Sequence, residues 1–230
     1  PEYFNYLARA GYWVNNIRFT VTYKPKHTVY LQTWHGTPLK RLGLDIEVSG
    51  PEAEARESFL KESRNWDFLL AQNQYSKEVF RRAFAVKGEV LVHGYPADDI
   101  LIACSSDLKD NIKNKLKIPK DKKIILYAPT WRDDARQGAS WSYSFDLQLD
   151  FDKLRCELGG DYVILLRLHH LIADKLDLFG YEDFLFDVSY YNDTSEILAV
   201  SDLLITDYSS IFFDFMTTRK PILFYMYDLE

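Results

Sequence analysis

Four short polar turns carry the side chains that could do chemistry: 34–40, 130–134, 167–170 and 206–210. An imidazole titrates near neutral pH, so His35 in Trp34-His35-Gly36-Thr37-Pro38 suits a general base that takes a proton from an attacking hydroxyl. The plainer reading is a histidine that only shapes its turn. Arg132 offers a guanidinium fork matching two phosphate oxygens, although beside Asp133 it equally fits a surface ion pair. His169 can donate a hydrogen bond to a phosphate or to a departing nucleotide. Ser209 and Ser210 stand at an expected helix start, where hydroxyls and unpaired backbone N–H groups suit a phosphate; ordinary helix capping is the alternative.

Several chemistries are excluded. No GxGxxG or GxxxxGK[ST] run is present, so the glycine-rich phosphate loops of dinucleotide and Walker-type sites are missing. No acidic pair has a metal-ligand spacing, and Cys104 and Cys156 form neither a CxxC pair nor a zinc pattern, so neither cofactor nor metal is implied. A formal charge of -6 and a pI near 5.4 argue against a nucleic-acid partner, whose binders carry a basic domain or stripe. Locally, Lys113, Lys115, Lys117, Lys120 and Lys122 form a basic run that reads either as a contact for anionic lipid or polymer or as a solvated helix face and turn. No apolar run approaches the roughly 18 residues of a membrane span, and the first residues lack a signal-peptide pattern. Position 1 is not Met, so the chain reads as a segment of a longer protein.

Polar turns of this kind need a sheet to aim them. With 47% hydrophobic and 27% charged residues the chain can build a core, and short apolar runs alternate with helical patterns, which argues for βαβ units and a mainly parallel sheet. Strands are expected over 28–33, 67–71, 89–93, 123–128, 162–168, 202–206 and 221–227, and helices over 51–64, 75–84, 107–116, 151–158, 194–200 and 211–217. Thr37 is expected to cap a helix with Pro38 in its first turn, which would put His35 on a strand-to-helix turn. Asp193 with Glu196 makes a capping-box signal. A break near 96–102 divides the chain into domains 1–97 and 98–230. Ligands of open parallel sheets bind beyond the strands' carboxyl ends, where all four turns fall, and a cleft between two domains would bring the turns together.

Trp34-His35-Gly36-Thr37-Pro38-Leu39-Lys40, Tyr127-Ala128-Pro129-Thr130-Trp131-Arg132-Asp133, Arg167-Leu168-His169 and Thr206-Asp207-Tyr208-Ser209-Ser210-Ile211-Phe212-Phe213-Asp214-Phe215 occur in this order. In these motifs the sequence resembles the CDP-glycerol glycerophosphotransferase family, which builds teichoic-acid-like polymers. The resemblance implies an α/β, GT-B-like fold of two Rossmann-like domains, truncated here at one or both ends. The first domain would lie on the acceptor side and the second would hold CDP-glycerol. It implies transfer of glycerol phosphate to a hydroxyl of a lipid-linked or growing polymer with release of CMP; some relatives use CDP-ribitol. His35 and His169 would be catalytic, and Gly36, Thr37, Arg132, Asp133, Asp207, Ser209 and Ser210 would bind substrate. The place of work would be the inner face of the bacterial membrane, held peripherally from the cytoplasm. His170 departs from the Pro that many relatives carry, which bears on how His169 is aimed. Two other readings share the fold: a glycosyltransferase moving a hexose from a nucleotide-sugar, and a non-catalytic module holding an anionic polymer.

Overall fold

The computed structural model describes residues 2–19, 21, 23–47, 59–130, 148–168 and 178–229. It divides into two units, Pro1–Pro96 and Ala97–Glu230. Each is Rossmann-like, a parallel sheet with helices in the connections between strands, and the class is α/β.

The first unit holds strands β1 (Tyr12–Asn15), β2 (Val29–Gln32), β3 (Phe68–Ala71) and β4 (Glu89–Val92), parallel and in the order β1-β2-β3-β4. Strand side chains alternate between faces, so Trp13, Tyr30, Leu69, Ala71 and Val90 reach one core. Helix α2 (Gln74–Ala83) packs Val79, Phe80 and Ala83 onto it. It starts where the Asn73 side chain accepts a hydrogen bond from the Ser76 amide at 2.9 Å, satisfying one of the orphan donors of a helix start. Helix α1 (Glu2–Arg9) and strand β1 precede the first strand expected from sequence. Strand β1 escaped notice because Tyr12 and Val14, which flank the buried Trp13, are apolar yet exposed, so no polar-apolar alternation marks it.

The second unit holds β5 (Lys123–Ala128), β6 (Tyr162–Leu166), β7 (Leu185–Asp187), β8 (Leu203–Thr206) and β9 (Ile222–Phe224), parallel and in the order β7-β6-β5-β8-β9. Ile124, Leu126 and Ala128 fill one core while Ile125 and Tyr127 fill another on the opposite face. Burial on both faces is why β5 reads as an unbroken apolar run. Helices α3 (Asp99–Ile102), α4 (Ser106–Lys115), α5 (Phe151–Leu158), α6 (Thr194–Val200) and α7 (Ile211–Met216) complete the unit.

Two local expectations are corrected. No helix begins at Thr37: residues 37–42 are irregular, and the next element is the short 3-10 turn Gly43–Asp45. Thr37 is buried and its hydroxyl has no hydrogen-bond partner among the described residues, so it caps no helix there. Tertiary packing of the preceding turn, with Trp34 at φ 57 and Gly36 at φ 147, overrides the local capping signal. The capping box at α6 is half formed. Asp193 accepts from the Ser195 and Glu196 amides, but the Glu196 carboxylate bonds Lys115 and Tyr191 instead of returning to the cap. Of the helix expected over 51–64, residues 59–63 are helical and 51–58 lie outside the described residues.

The lysine-rich segment folds as α4 and the turn after it. Lys113 donates to the Lys120 and Lys122 carbonyls at 2.9 and 2.6 Å, and Lys122 to those of Gly159 and Gly160. Lys115 and Lys120 pair with Glu196 and Asp110. Among the described residues no helix is long and apolar enough to cross a membrane.

Candidate active site

In the first unit the chain leaves β2 through Thr33 and turns sharply at Trp34, whose φ of 57 is unusual for a bulky side chain. The strain is offset by packing: the Trp34 ring lies 4.6 Å from Phe84 and 5.9 Å from Phe80 between centroids. This reversal presents His35 to solvent while Gly36 and Thr37 are buried behind it. The imidazole stacks on the Trp34 ring at 4.3 Å and 25°. Its Nδ1 lies 2.6 Å from the Asn16 carbonyl oxygen. A carbonyl only accepts, so in the neutral ring Nδ1 carries the proton and Nε2 keeps its lone pair. That is the tautomer a general base needs. The Gly36 carbonyl accepts from the Tyr95 hydroxyl at 3.1 Å and the Pro38 carbonyl from that of Tyr75 at 3.3 Å, tying down the far side of the turn.

Beneath His35 lies a buried polar network. The Gln32 amide donates to the Ile17 carbonyl at 2.8 Å and accepts from the Trp34 amide at 2.9 Å. Glu62 accepts from the Phe19 amide at 2.9 Å and the Tyr30 hydroxyl at 3.0 Å. Burial, and then Glu62 beside it, hold the Tyr30 hydroxyl protonated far above the usual phenol range, so it acts as a donor. Burial likewise pushes the Glu62 carboxyl up, opposed by its bonds from Phe19 and Tyr30.

In the second unit the strand order reverses between β5 and β8, since β6 and β7 run out on one side and β9 on the other. Such a switch point opens a crevice at the strands' carboxyl ends. Thr206 closes β8 onto β5 by donating to the Ala128 carbonyl at 2.7 Å. Asp207, only 3% exposed, accepts from the Thr130 amide at 2.7 Å and the Tyr208 amide at 2.6 Å. Its carboxylate therefore holds the two turns together. Ser209 and Ser210 follow, half-buried, at the head of α7. The Ser210 side chain makes no capping bond, and Ser209 Oγ accepts only a long 3.4 Å contact from the Ile211 amide, so plain capping does not account for the pair. Arg167 is a brace: half-buried, it donates to the Val188 and Tyr191 carbonyls and to the Thr194 hydroxyl, and burial lowers its pKa.

The structure thus places His35, Gly36 and Thr37 in one turn, and Asp207, Ser209 and Ser210 in another beside Thr130. Arg132, Asp133, His169 and His170 lie outside the described residues. Asn16, Gln32 and Glu62 escaped the sequence reading because nothing local to them signals that Asn16 bonds His35 or that Gln32 and Glu62 bond Ile17 and Phe19 in the loop that carries Asn16.

Residues 1–230 match the model of the CDP-Glycerol:Poly(glycerophosphate) glycerophosphotransferase family. The chain belongs to this family. It is 50% identical over 230 residues to the teichoic acid poly(glycerol phosphate) polymerase of Bacillus subtilis (strain 168), covering 97% of this chain and 31% of that protein. The teichoic acid glycerol-phosphate transferase of Staphylococcus aureus (strain NCTC 8325 / PS 47) is 45% identical over 239 residues, covering 100% of this chain and 60% of that one. Among solved structures, a variant of the wall teichoic acid polymerase TagF soaked with CDP-glycerol superimposes with a TM-score of 0.92 at 46% identity, over 99% of this chain and 57% of that one. The chain of this glycerophosphotransferase family member spans between about a third and 60% of the length of these relatives.

Proposed function

We propose that this chain is the catalytic part of an enzyme that transfers glycerol phosphate from CDP-glycerol to a hydroxyl of a lipid-linked or growing teichoic-acid-like polymer, releasing CMP. The observation that carries the reading is the geometry of His35: exposed, stacked on Trp34, and held through Nδ1 on the Asn16 carbonyl with Nε2 available. Nε2 takes the proton of the acceptor hydroxyl as its oxygen attacks the phosphorus bearing glycerol. A new P–O bond forms, the bond to the CMP phosphate oxygen breaks, and CMP leaves with that electron pair. Phosphoryl transfer asks the protein mainly for alignment and for donors facing the spreading charge.

The second unit is the proposed holder of CDP-glycerol, with Ser209 and Ser210 at the switch point as phosphate donors and Asp207 keeping their turn in place. Arg132, Asp133 and His169 join them in this proposal, Arg132 on the pyrophosphate and His169 on the leaving group. The first unit is the proposed acceptor side. Residence at the inner face of the membrane follows from a lipid-linked acceptor rather than from the lysine segment, where the ammonium groups of Lys113, Lys115, Lys120 and Lys122 are engaged with carbonyls and carboxylates.

The test is CMP release from CDP-glycerol by the full-length protein with a lipid-linked acceptor. His35→Ala is expected to lower kcat by about 100- to 10,000-fold, the range for loss of a general base, with donor binding retained. Ser210→Ala is expected to weaken the donor instead. Release by wild type with neither CDP-glycerol nor CDP-ribitol would overturn the proposal in favour of a hexosyltransferase or a binding module. Which of those holds is decided by whether a nucleotide-sugar is turned over.

A further inference from the structure

His35 is steered by two contacts that come from different parts of the chain. One is the Asn16 carbonyl, from the loop after β1; the other is the Trp34 ring, from the turn after β2. We infer that Gln32 is the positioning residue for His35, because its single buried amide fastens both of these segments at once. Gln32 is 0% exposed. Its Nε2 donates 2.8 Å to the carbonyl of Ile17, the neighbour of Asn16, and its Oε1 accepts 2.9 Å from the backbone amide of Trp34, the neighbour of His35. A backbone carbonyl can only accept and a backbone N–H can only donate, so the partners themselves decide which way the amide points.

The residue type follows from this duty. Alternation along β2 puts Gln32 on the same inward face as Tyr30, a place for an apolar side chain. An amide there is costly unless both its ends are bonded. Glutamate would set a carboxylate against the Ile17 carbonyl; methionine would fill the space and hold neither segment. The remaining network works on the same loop from its other end: Glu62 takes the Phe19 amide, and the Tyr30 hydroxyl that Glu62 also accepts lies 3.4 Å from Gln32 Nε2. The Gln32 side chain bonds Ile17, Tyr30 and Trp34, and it acts on His35 by fixing the carbonyl that selects the tautomer and the ring that sets the plane.

The inference rests on His35 as the general base, and its test separates the two. In the full-length protein, Gln32→Met and Gln32→Asn would be compared with Tyr30→Phe, which of the Gln32 bonds removes only the 3.4 Å one from Nε2 to the Tyr30 hydroxyl and leaves those to Ile17 and Trp34 in place. Readouts are kcat and KM for CMP release, thermal stability, and the 15N shifts of the His35 ring in histidine-labelled protein, which report the protonated nitrogen without any turnover. Gln32→Met is expected to lower kcat by about 10- to 100-fold, the scale of a misplacement near 1 Å, with KM for CDP-glycerol unchanged. The His35 signal is expected to turn into a mixture of tautomers. Gln32→Asn, too short to span both partners, is expected to fall between wild type and Gln32→Met, and it serves alone if Gln32→Met does not fold. Tyr30→Phe is expected to keep kcat even where it lowers stability. Unchanged His35 shifts in Gln32→Met and Gln32→Asn, or a kcat loss in Tyr30→Phe equal to theirs, would overturn the inference. If wild type releases no CMP, the assigned reaction fails while the 15N shifts still decide what Gln32 does.

Discussion

The Asp207 carboxylate accepts the Thr130 amide hydrogen at 2.7 Å, joining the turn after β8 to the turn after β5 at the place where the strand order of the second sheet reverses. Asp207, expected from the sequence to bind substrate, spends one carboxylate oxygen on two backbone donors, Thr130 and Tyr208. Backbone bonds to a charged acceptor are worth about 1.5 to 3 kcal/mol each, and a buried donor left without one carries the desolvation cost. Asp207→Ala is therefore expected to destabilise the protein by about 3 kcal/mol. Asp207→Asn, which keeps one accepting oxygen, should lose less than half as much. Urea midpoints measure this, and equal losses in the two variants would show that the paired amides are not what the carboxylate is for.

Glu62 gives the first unit a pH dependence. Burial, the largest contribution, lifts its carboxyl above the ordinary 4.5, and the bonds from Phe19 and Tyr30 only partly offset it. The folded chain thus holds that proton more tightly than the unfolded chain. The contribution of Glu62 to stability is fully present below about pH 4.5 and is lost as pH rises through the raised folded value. Glu62→Gln is expected to flatten this slope, so that the variant gains on wild type between about pH 4 and about pH 7. Chemical denaturation at the two pH values checks it; a constant difference between variant and wild type would refute the assignment.

Gly43 anchors the far end of the His35 loop on helix α2. Its φ is +47, and a Cβ there would stand 2.2 Å from the Ala83 carbonyl oxygen, which is backbone and cannot swing aside. Gly43→Ala combines overpacking with a left-handed backbone, together about 3 kcal/mol. Thermal unfolding should show the loss, with the Asp45 to Arg82 ion pair beside it weakened. A variant as stable as wild type would mean that the loop can shift by an ångström or more.

Buried strands and well-capped helices were legible because each advertises itself over a few consecutive residues. The apolar run 123–128 and strand β5 coincide, as do the residues 151–158 and α5, whose Asp150 side chain accepts from the Lys153 amide at 3.0 Å. The turns carrying His35 and Ser209 were found for the same reason, as polar residues just past apolar runs. Strand β7 was missed, being only three residues long, too short to show a period. At Thr37 a sound local rule failed, since the Trp34 ring sitting among Phe59, Phe80 and Phe84 sets the backbone path there.

By itself the sequence determined the α/β class, the positions of the polar turns and the types of side chain they carry, all properties encoded within about a dozen neighbouring residues by periodicity and turn chemistry. Only the tertiary structure decided the protonation geometry of His35, the structural duty of Asp207 and the part played by Gln32. Each depends on a hydrogen bond between residues far apart in the chain, separated by 19 for His35 and Asn16, 77 for Asp207 and Thr130, and 15 for Gln32 and Ile17. Hydrogen bonds are directional and short in range, so which distant carbonyl or amide completes one is settled by how strands and loops pack, and no spacing rule along the sequence records it.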